Sequence, residues 1–304
     1  MITSRCDYPV RRAAVWLLSF VLLGGGVASA GGSSDARPVP AATFSQFQCT
    51  GFIASEQLNG DIRVFNGSDN DLDEPLHQFV PGDYVYLRGV GQQQFQAGEA
   101  YSTVRPETGS TLSPTWHPGK LENQILPPAS WYTLQRYDIR KLGWPYNNTG
   151  LVRVVKVRPQ GAIARVVFSC NGIEAQDIAV PYTPQPIPEY TPPASLARFA
   201  PPNGKLRGLI VASPASSAYL ARGSIAFLDI GSNQGVAPGQ QYRVYAIFRN
   251  KLVRGFQGLI PLAPETPRET LGELVILRVE PKSSVAIVVR SLREMAVGDG
   301  VELE

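Results

Sequence analysis

From residue 51 to the C-terminus, apolar residues gather in short strand-like runs separated by polar and turn-forming residues. The clearest are Gly51–Ser55, Asp61–Phe65, Tyr84–Arg88, Ala100–Arg105, Leu151–Arg158 and Ile163–Ser169, then Gly208–Ala212, Ser224–Asp229, Tyr242–Phe248, Glu273–Val279 and Val285–Arg290. Val, Ile, Tyr and Phe dominate them, and Gly, Pro, Asn and Asp punctuate them, as expected of strands with one buried face. No segment after residue 31 holds a helical apolar period for three turns. Many short strands at close spacing predict an all-β chain of small barrels or sandwiches.

The strand pattern is written twice. Gly82 to Val104 lies on Gly223 to Tyr245 at a constant offset of 141 residues, matching Leu87/Leu228, Gly98/Gly239 and Tyr101/Tyr242. Gly150 to Pro181 lies on Gly272 to Leu303 at an offset of 122, matching Gly150/Gly272, Val157/Val279, Pro159/Pro281, Ala164/Ala286, Val166/Val288 and Asp177/Asp299. Apolar positions oppose apolar ones throughout. The expectation is two tandem small β-barrel or sandwich domains from an internal duplication: 44–182, then 205–304. Pro159-Gln160-Gly161-Ala162 and Pro281-Lys282-Ser283-Ser284 read as equivalent hairpin turns.

The N-terminus follows a different pattern. Arg11 and Arg12 precede an apolar run, Ala13 to Leu23, and Ala28-Ser29-Ala30 supplies small residues for cleavage. This predicts a secretory signal over 1–30 rather than a retained anchor, because the run is short and polar sequence follows it. A flexible Gly/Ser/Pro/Ala leader is expected over 31–43, and a proline-rich linker or strap over 183–204. The formal charge of +3 falls to about +1 once Arg5, Arg11, Arg12 and Asp7 leave with the signal, which argues against nucleic acid as a partner. Export, most simply to the periplasm, is an oxidising destination. Cys49 and Cys170 remain there. With the opening strands matched as Gly51/Gly208, the second copy has Arg207 and Leu292 in their places. Joint presence and joint absence are what a disulfide leaves, with two separately buried thiols as the alternative.

The copies differ most at residues 106–149, an insertion holding Trp116, Trp131 and Trp144 with Tyr132 and Tyr146. Flat rings with polar edges suit a protein anchor or a sugar face, and they also suit a small local core. Little else suggests chemistry. His77 and His117 have no metal-ligand spacing, no nucleophile elbow or phosphate loop is present, and no cofactor is expected. Asp69-Asn70-Asp71-Leu72-Asp73-Glu74 starts like a calcium loop but has Glu74 where Gly is needed and Val80 where Glu is needed, so a solvated acidic loop is expected.

The segment Gly223-Ser224-Ile225-Ala226-Phe227-Leu228-Asp229-Ile230-Gly231, continued by Gly235-Val236-Ala237-Pro238-Gly239, Leu271 to Val279 and Val297-Gly298-Asp299-Gly300-Val301, resembles the C-terminal domain of flagellar assembly protein T. Related modules accompany LysM domains in exported bacterial proteins. The resemblance implies a barrel fold and no catalytic residues. The expected function is a non-enzymatic envelope adaptor that binds a protein partner through Trp116, Trp131, Tyr132, Trp144 and Tyr146. A peptidoglycan or glycan reader and a cell-wall hydrolase are the alternatives.

Overall fold

The computed structural model describes residues 37–67, 78–90, 95–107, 132–133, 139–214, 219–246, 252–255, 258–261 and 268–304. A short strand β1 (Val39–Pro40) and a single-turn helix α1 (Phe44–Gln48) come first, followed by β2 (Phe52–Ala54), β3 (Ile62–Gly67), β4 (Tyr84–Gly89), β5 (Ala100–Pro106) and β6 (Tyr132–Thr133). The long hairpin β7 (Trp144–Arg158) and β8 (Gly161–Ser169) leads to β9 (Ile178–Pro181), and β10 (Glu189–Tyr190) lies in the proline-rich stretch. The second half contains β11 (Arg207–Ser213), β12 (Tyr219–Leu220), β13 (Ile225–Leu228), β14 (Gln241–Tyr245), β15 (Leu252–Gly255) and β16 (Gly258–Pro261). It ends with β17 (Thr270–Val279), β18 (Ser284–Ser291), β19 (Met295–Ala296) and β20 (Gly300–Leu303).

Two closed antiparallel barrels result, each of six strands. The first runs β7-β5-β9-β3-β4-β8 and closes through β8 on β7, with β2 added at the outer end of β7. The second runs β17-β14-β20-β11-β13-β18 and closes the same way, with β6 added on β11. Inward residues of alternate positions fill each interior: Val64, Val85, Leu87, Val152 and Val154 in one, Ile210, Leu228, Tyr242, Leu274 and Ile276 in the other. Closure leaves no free edge within either ring, which suits strands this short.

The duplication extends to the turns. The Val80 amide donates to Asp83 and the Ala221 amide to Ser224; Gln96 donates to Glu99 and Ala237 to Gln240; Glu174 donates to Asp177 and Ala296 to Asp299. Asp177 and Asp299, two of the repeated acids, are therefore turn caps. Gly98 and Gly239 take φ of 91° and 84° where the turn re-enters the barrel, and their amides donate to Val154 and Ile276.

One register differs from the sequence expectation. Leu87 pairs with Val64 and Leu228 with Ile210, while Ile178 pairs with Arg63 and Gly300 with Leu209. The opening strands of the two copies are thus β3 and β11, with Val64 equivalent to Ile210. Gly51 is not the counterpart of Gly208. The segment 51–54 has a strand pattern but precedes the first barrel and pairs outside its ring.

Gly150 and Gly272 show why this repeated glycine is needed. A Cβ on Gly150 would lie 2.5 Å from the Phe168 carbonyl oxygen and 2.7 Å from Ile173 Cδ1. A Cβ on Gly272 would run into the Arg290 carbonyl oxygen and Met295 Cε, the equivalent pair. Gly272→Ala is expected to cost about 1–3 kcal/mol by forcing the hairpin apart, with Gly150→Ala behaving alike. Urea midpoints at constant slope will measure both, and an unchanged midpoint would contradict the close approach.

Candidate functional site

The chain ahead of the first barrel forms part of the contact between the barrels. Thr43 caps α1 through a capping box, its hydroxyl accepting from the Gln46 amide while Gln46 Oε1 accepts from the Thr43 amide. Phe47 projects from α1 into a buried cluster with Ala41, Ala42 and the outer side of the second barrel, at Val275, Leu277 and Ile287. The Arg278 guanidinium lies 4.6 Å from the Phe47 ring centre and donates to its carbonyl at 3.3 Å. Next along the chain, Ile53 of β2 is wholly buried against Val211, Ala212, Phe227 and Val285, with Ile139 and Leu142 beside it.

Two further ties act on the same segment. Cys49 and Cys170 form a disulfide, with Cα atoms 5.6 Å apart, that joins the end of α1 to the end of β8. β1 pairs with β10, and the Ala41 amide donates to the Pro188 carbonyl at 2.8 Å. Residues 39–43 of the leader are therefore built into the fold, and the proline-rich stretch lies over them as a strap. The disulfide matches the sequence expectation, though one premise does not: Cys49 stands before the first barrel, so the second copy has no position to compare with it. An internal disulfide is compatible with an exported protein. Among the described residues no helix is long and apolar enough to cross a membrane.

Between the barrels, α1 and the strap lies a cleft of about 640 Å³ whose walls include Gln48, Phe52, Asn148, Tyr182, Arg278 and Glu280. Asn148 donates to the Gln48 carbonyl at 2.6 Å, and Gln48 Nε2 donates to the Tyr182 hydroxyl at 3.3 Å. Asn148 Oδ1 and Arg278 Nε are buried without a hydrogen-bond partner among the described residues. Burial lowers the affinity of Arg278 for its proton, against the opposing pull of Tyr182 and Glu280; burial also pushes the Glu280 carboxyl up.

No family model matches the chain, and no curated protein matches it. The functional reading rests on where the structure puts the aromatic residues. Trp116 and Trp131 lie outside the described residues. Tyr132 and Thr133 pair through their backbones with Ser213 and Ala212 of the second barrel. Trp144 opens β7 opposite Ala54 and is 48% exposed. Tyr146 is 2% exposed, stacks on Phe52 with ring centres 5.6 Å apart, and accepts a hydrogen bond from the Leu58 amide at 3.0 Å. Tyr146 is therefore a core residue without a surface to offer a partner. The insertion gives way to barrel strand at Trp144, because β7 runs six residues further upstream than the repeat alignment starts.

Proposed function

We propose that the protein is a non-enzymatic adaptor of the bacterial envelope, exported to the periplasm, that holds a protein partner against a pre-set pair of barrels. The observation that carries this reading is the path of the insertion. It leaves the first barrel after β5, pairs on β11 of the second, and returns through Trp144. An insertion whose sequence is rich in Trp and Tyr thus meets both barrels at its described residues, and those barrels are already clamped by an apolar contact, a disulfide and a strap. Such preorganisation lowers the ordering cost of binding. The resemblance of 223–301 to the C-terminal domain of flagellar assembly protein T implies a barrel and no catalytic residue, in keeping with a non-enzymatic role.

Replacing Trp116, Trp131 and Trp144 together with alanine is expected to abolish capture of a crosslinked partner from the envelope fraction while leaving the melting curve in place. Undiminished capture would overturn the proposal. Co-sedimentation with purified sacculi that the same triple variant loses would replace the protein partner with a glycan. A cleared band on a peptidoglycan zymogram would overturn the non-enzymatic reading.

A further inference from the structure

The duplication allows one face of the barrel to be compared with itself. In the second barrel the outer face of β13, β17 and β18 is covered by the chain's own segment 41–54, with Ile139 and Leu142 beside it, and Phe227, Val275, Leu277, Val285 and Ile287 are buried there. At the repeat offsets, the same positions of the first barrel are Tyr86, Arg153, Val155, Ile163 and Arg165. There the face is open. Val155 is 47% exposed, Val167 46% and Tyr84 42%, and Arg153, Lys156 and Arg165 are all exposed.

Strand pairing makes these residues one continuous patch. Tyr84 sits beside Arg165, which sits beside Arg153; in the next row Tyr86 sits beside Ile163, which sits beside Lys156. One hairpin thus presents three cations, and a strand distant in sequence sets two tyrosines beside them. None of the three forms an ion pair among the described residues; Arg153 donates only to the Gly98 carbonyl, at 3.1 Å. The acids at the bordering turns are already engaged, Asp83 by the Val80 amide and Glu99 by the Gln96 amide and the Tyr101 hydroxyl.

We infer that this face of the first barrel docks an acidic, amphipathic segment of a partner protein, in the place that the chain's own segment 41–54 takes on the second barrel. Two substitutions define the difference in occupant. Where Val275 and Ile287 meet apolar residues of the covering segment, Arg153 and Arg165 call for carboxylates. One position keeps its character: Lys156 is equivalent to Arg278, which lies on the Phe47 ring and carbonyl of the covering segment. Lys156 is thus placed to meet an aromatic ring or a carbonyl of the incoming chain, and Val155 and Ile163 its apolar side. Three cations set among aliphatic side chains fit such a segment better than a phosphate backbone, whose recognition takes many Lys and Arg contacts with little apolar surface. The inference does not depend on the aromatic insertion.

The test uses the full mature, oxidised chain and a displayed library of random peptides of roughly a dozen residues, a length that can cross three strands. Selected peptides are expected to combine Asp or Glu with Phe, Leu or Ile. Binding of a labelled selected peptide is expected to fall about tenfold or more in Arg153→Glu/Arg165→Glu, to fall in Val155→Asp, and to weaken as salt rises from about 50 to about 500 mM. These sites are exposed, so thermal midpoints should hold, and Arg153→Gln/Arg165→Gln gives a milder variant should charge reversal disturb the fold. Selected peptides lacking acids, or binding that survives charge reversal, would overturn the inference. Tighter binding of duplex DNA or phosphatidylglycerol vesicles than of the peptide would overturn it in favour of those occupants. Neutralising the chain's own Asp69 to Glu74 run should leave peptide affinity unchanged; a several-fold gain would assign the face to that run instead. The triple Trp variant should still bind the peptide, so failure here and failure of the adaptor reading are separable.

Discussion

Replacing Cys49 and Cys170 together with alanine is expected to lower stability by about 4 kcal/mol, the largest effect foreseen for a change that leaves both barrel interiors intact. The two residues are separated by 121 positions, so the bridge closes a long loop and removes a large part of the freedom of the unfolded chain. It also acts locally. Cys49 is the C-cap of α1, a five-residue helix too short to persist in isolation. What holds it is the bridge, the edge-on contact of Phe44 with Phe168 at 5.5 Å, and Phe47 in the cluster on the second barrel. Without the bridge, α1 and the strap above it should exchange amide protons well before the barrels do. Guanidinium unfolding of the parent and the variant, with hydrogen exchange on α1, measures both consequences. A midpoint within about 0.5 kcal/mol of the parent would mean that packing alone holds this segment.

Glu302→Ala is expected to cost about 3 kcal/mol. Glu302 is fully buried on β20, where the first copy has Val180. Its carboxylate accepts from Arg207 Nε at 2.9 Å, from Arg268 at 2.7 Å and from the Asn203 amide at 3.3 Å. Removing it strands two guanidiniums. Arg207 is half exposed and can return to water, whereas Arg268 is 15% exposed and lies over the Tyr245 ring. Burial by itself would raise the Glu302 carboxyl, but the hydrogen bonds from Arg268 and Arg207 outweigh it and hold the group below the usual carboxylate range. The sign follows from that direction. The folded state favours the ionised form, so this stabilisation is complete above the unfolded carboxylate value, near pH 4.3, and is lost as pH falls through the lower folded value. The gap between parent and Glu302→Ala in urea midpoint should therefore narrow as pH is taken from 7 to about 3. A gap that stays constant over that range would show that the charge of Glu302 is not what stabilises the strand.

Much of the barrel architecture was legible in the chain because strand formation and turn chemistry are local. A strand-like apolar pattern, with glycines and turn-capping residues at fixed spacing, recurs at offsets of 141 and 122 residues, and the strands so marked are five of the six in each barrel. The opening strand of the first copy is not legible in the sequence, because the three-residue segment beside Gly51 looks like any other strand start. Only its partner, β7 rather than β4, tells it apart. Tyr146 is ambiguous in the sequence for a related reason. Aromatic residues near an insertion are equally suited to a surface or a core, and strand length settled which.

The chain alone carries the fold class and the duplication, since each is a matter of local pattern; that Cys49 and Cys170 bridge, rather than lie as two buried thiols, depends on the fold bringing the end of α1 to the end of β8. The tertiary structure decided everything that depends on which faces meet. It seated the segment before the first barrel on the second, paired Val39 and Pro40 with the proline-rich strap, and set Tyr84 and Tyr86 beside the hairpin that carries Arg153, Lys156 and Arg165. These are contacts between residues distant in sequence, set by apolar area leaving water and by strand register, and no spacing along the chain encodes either.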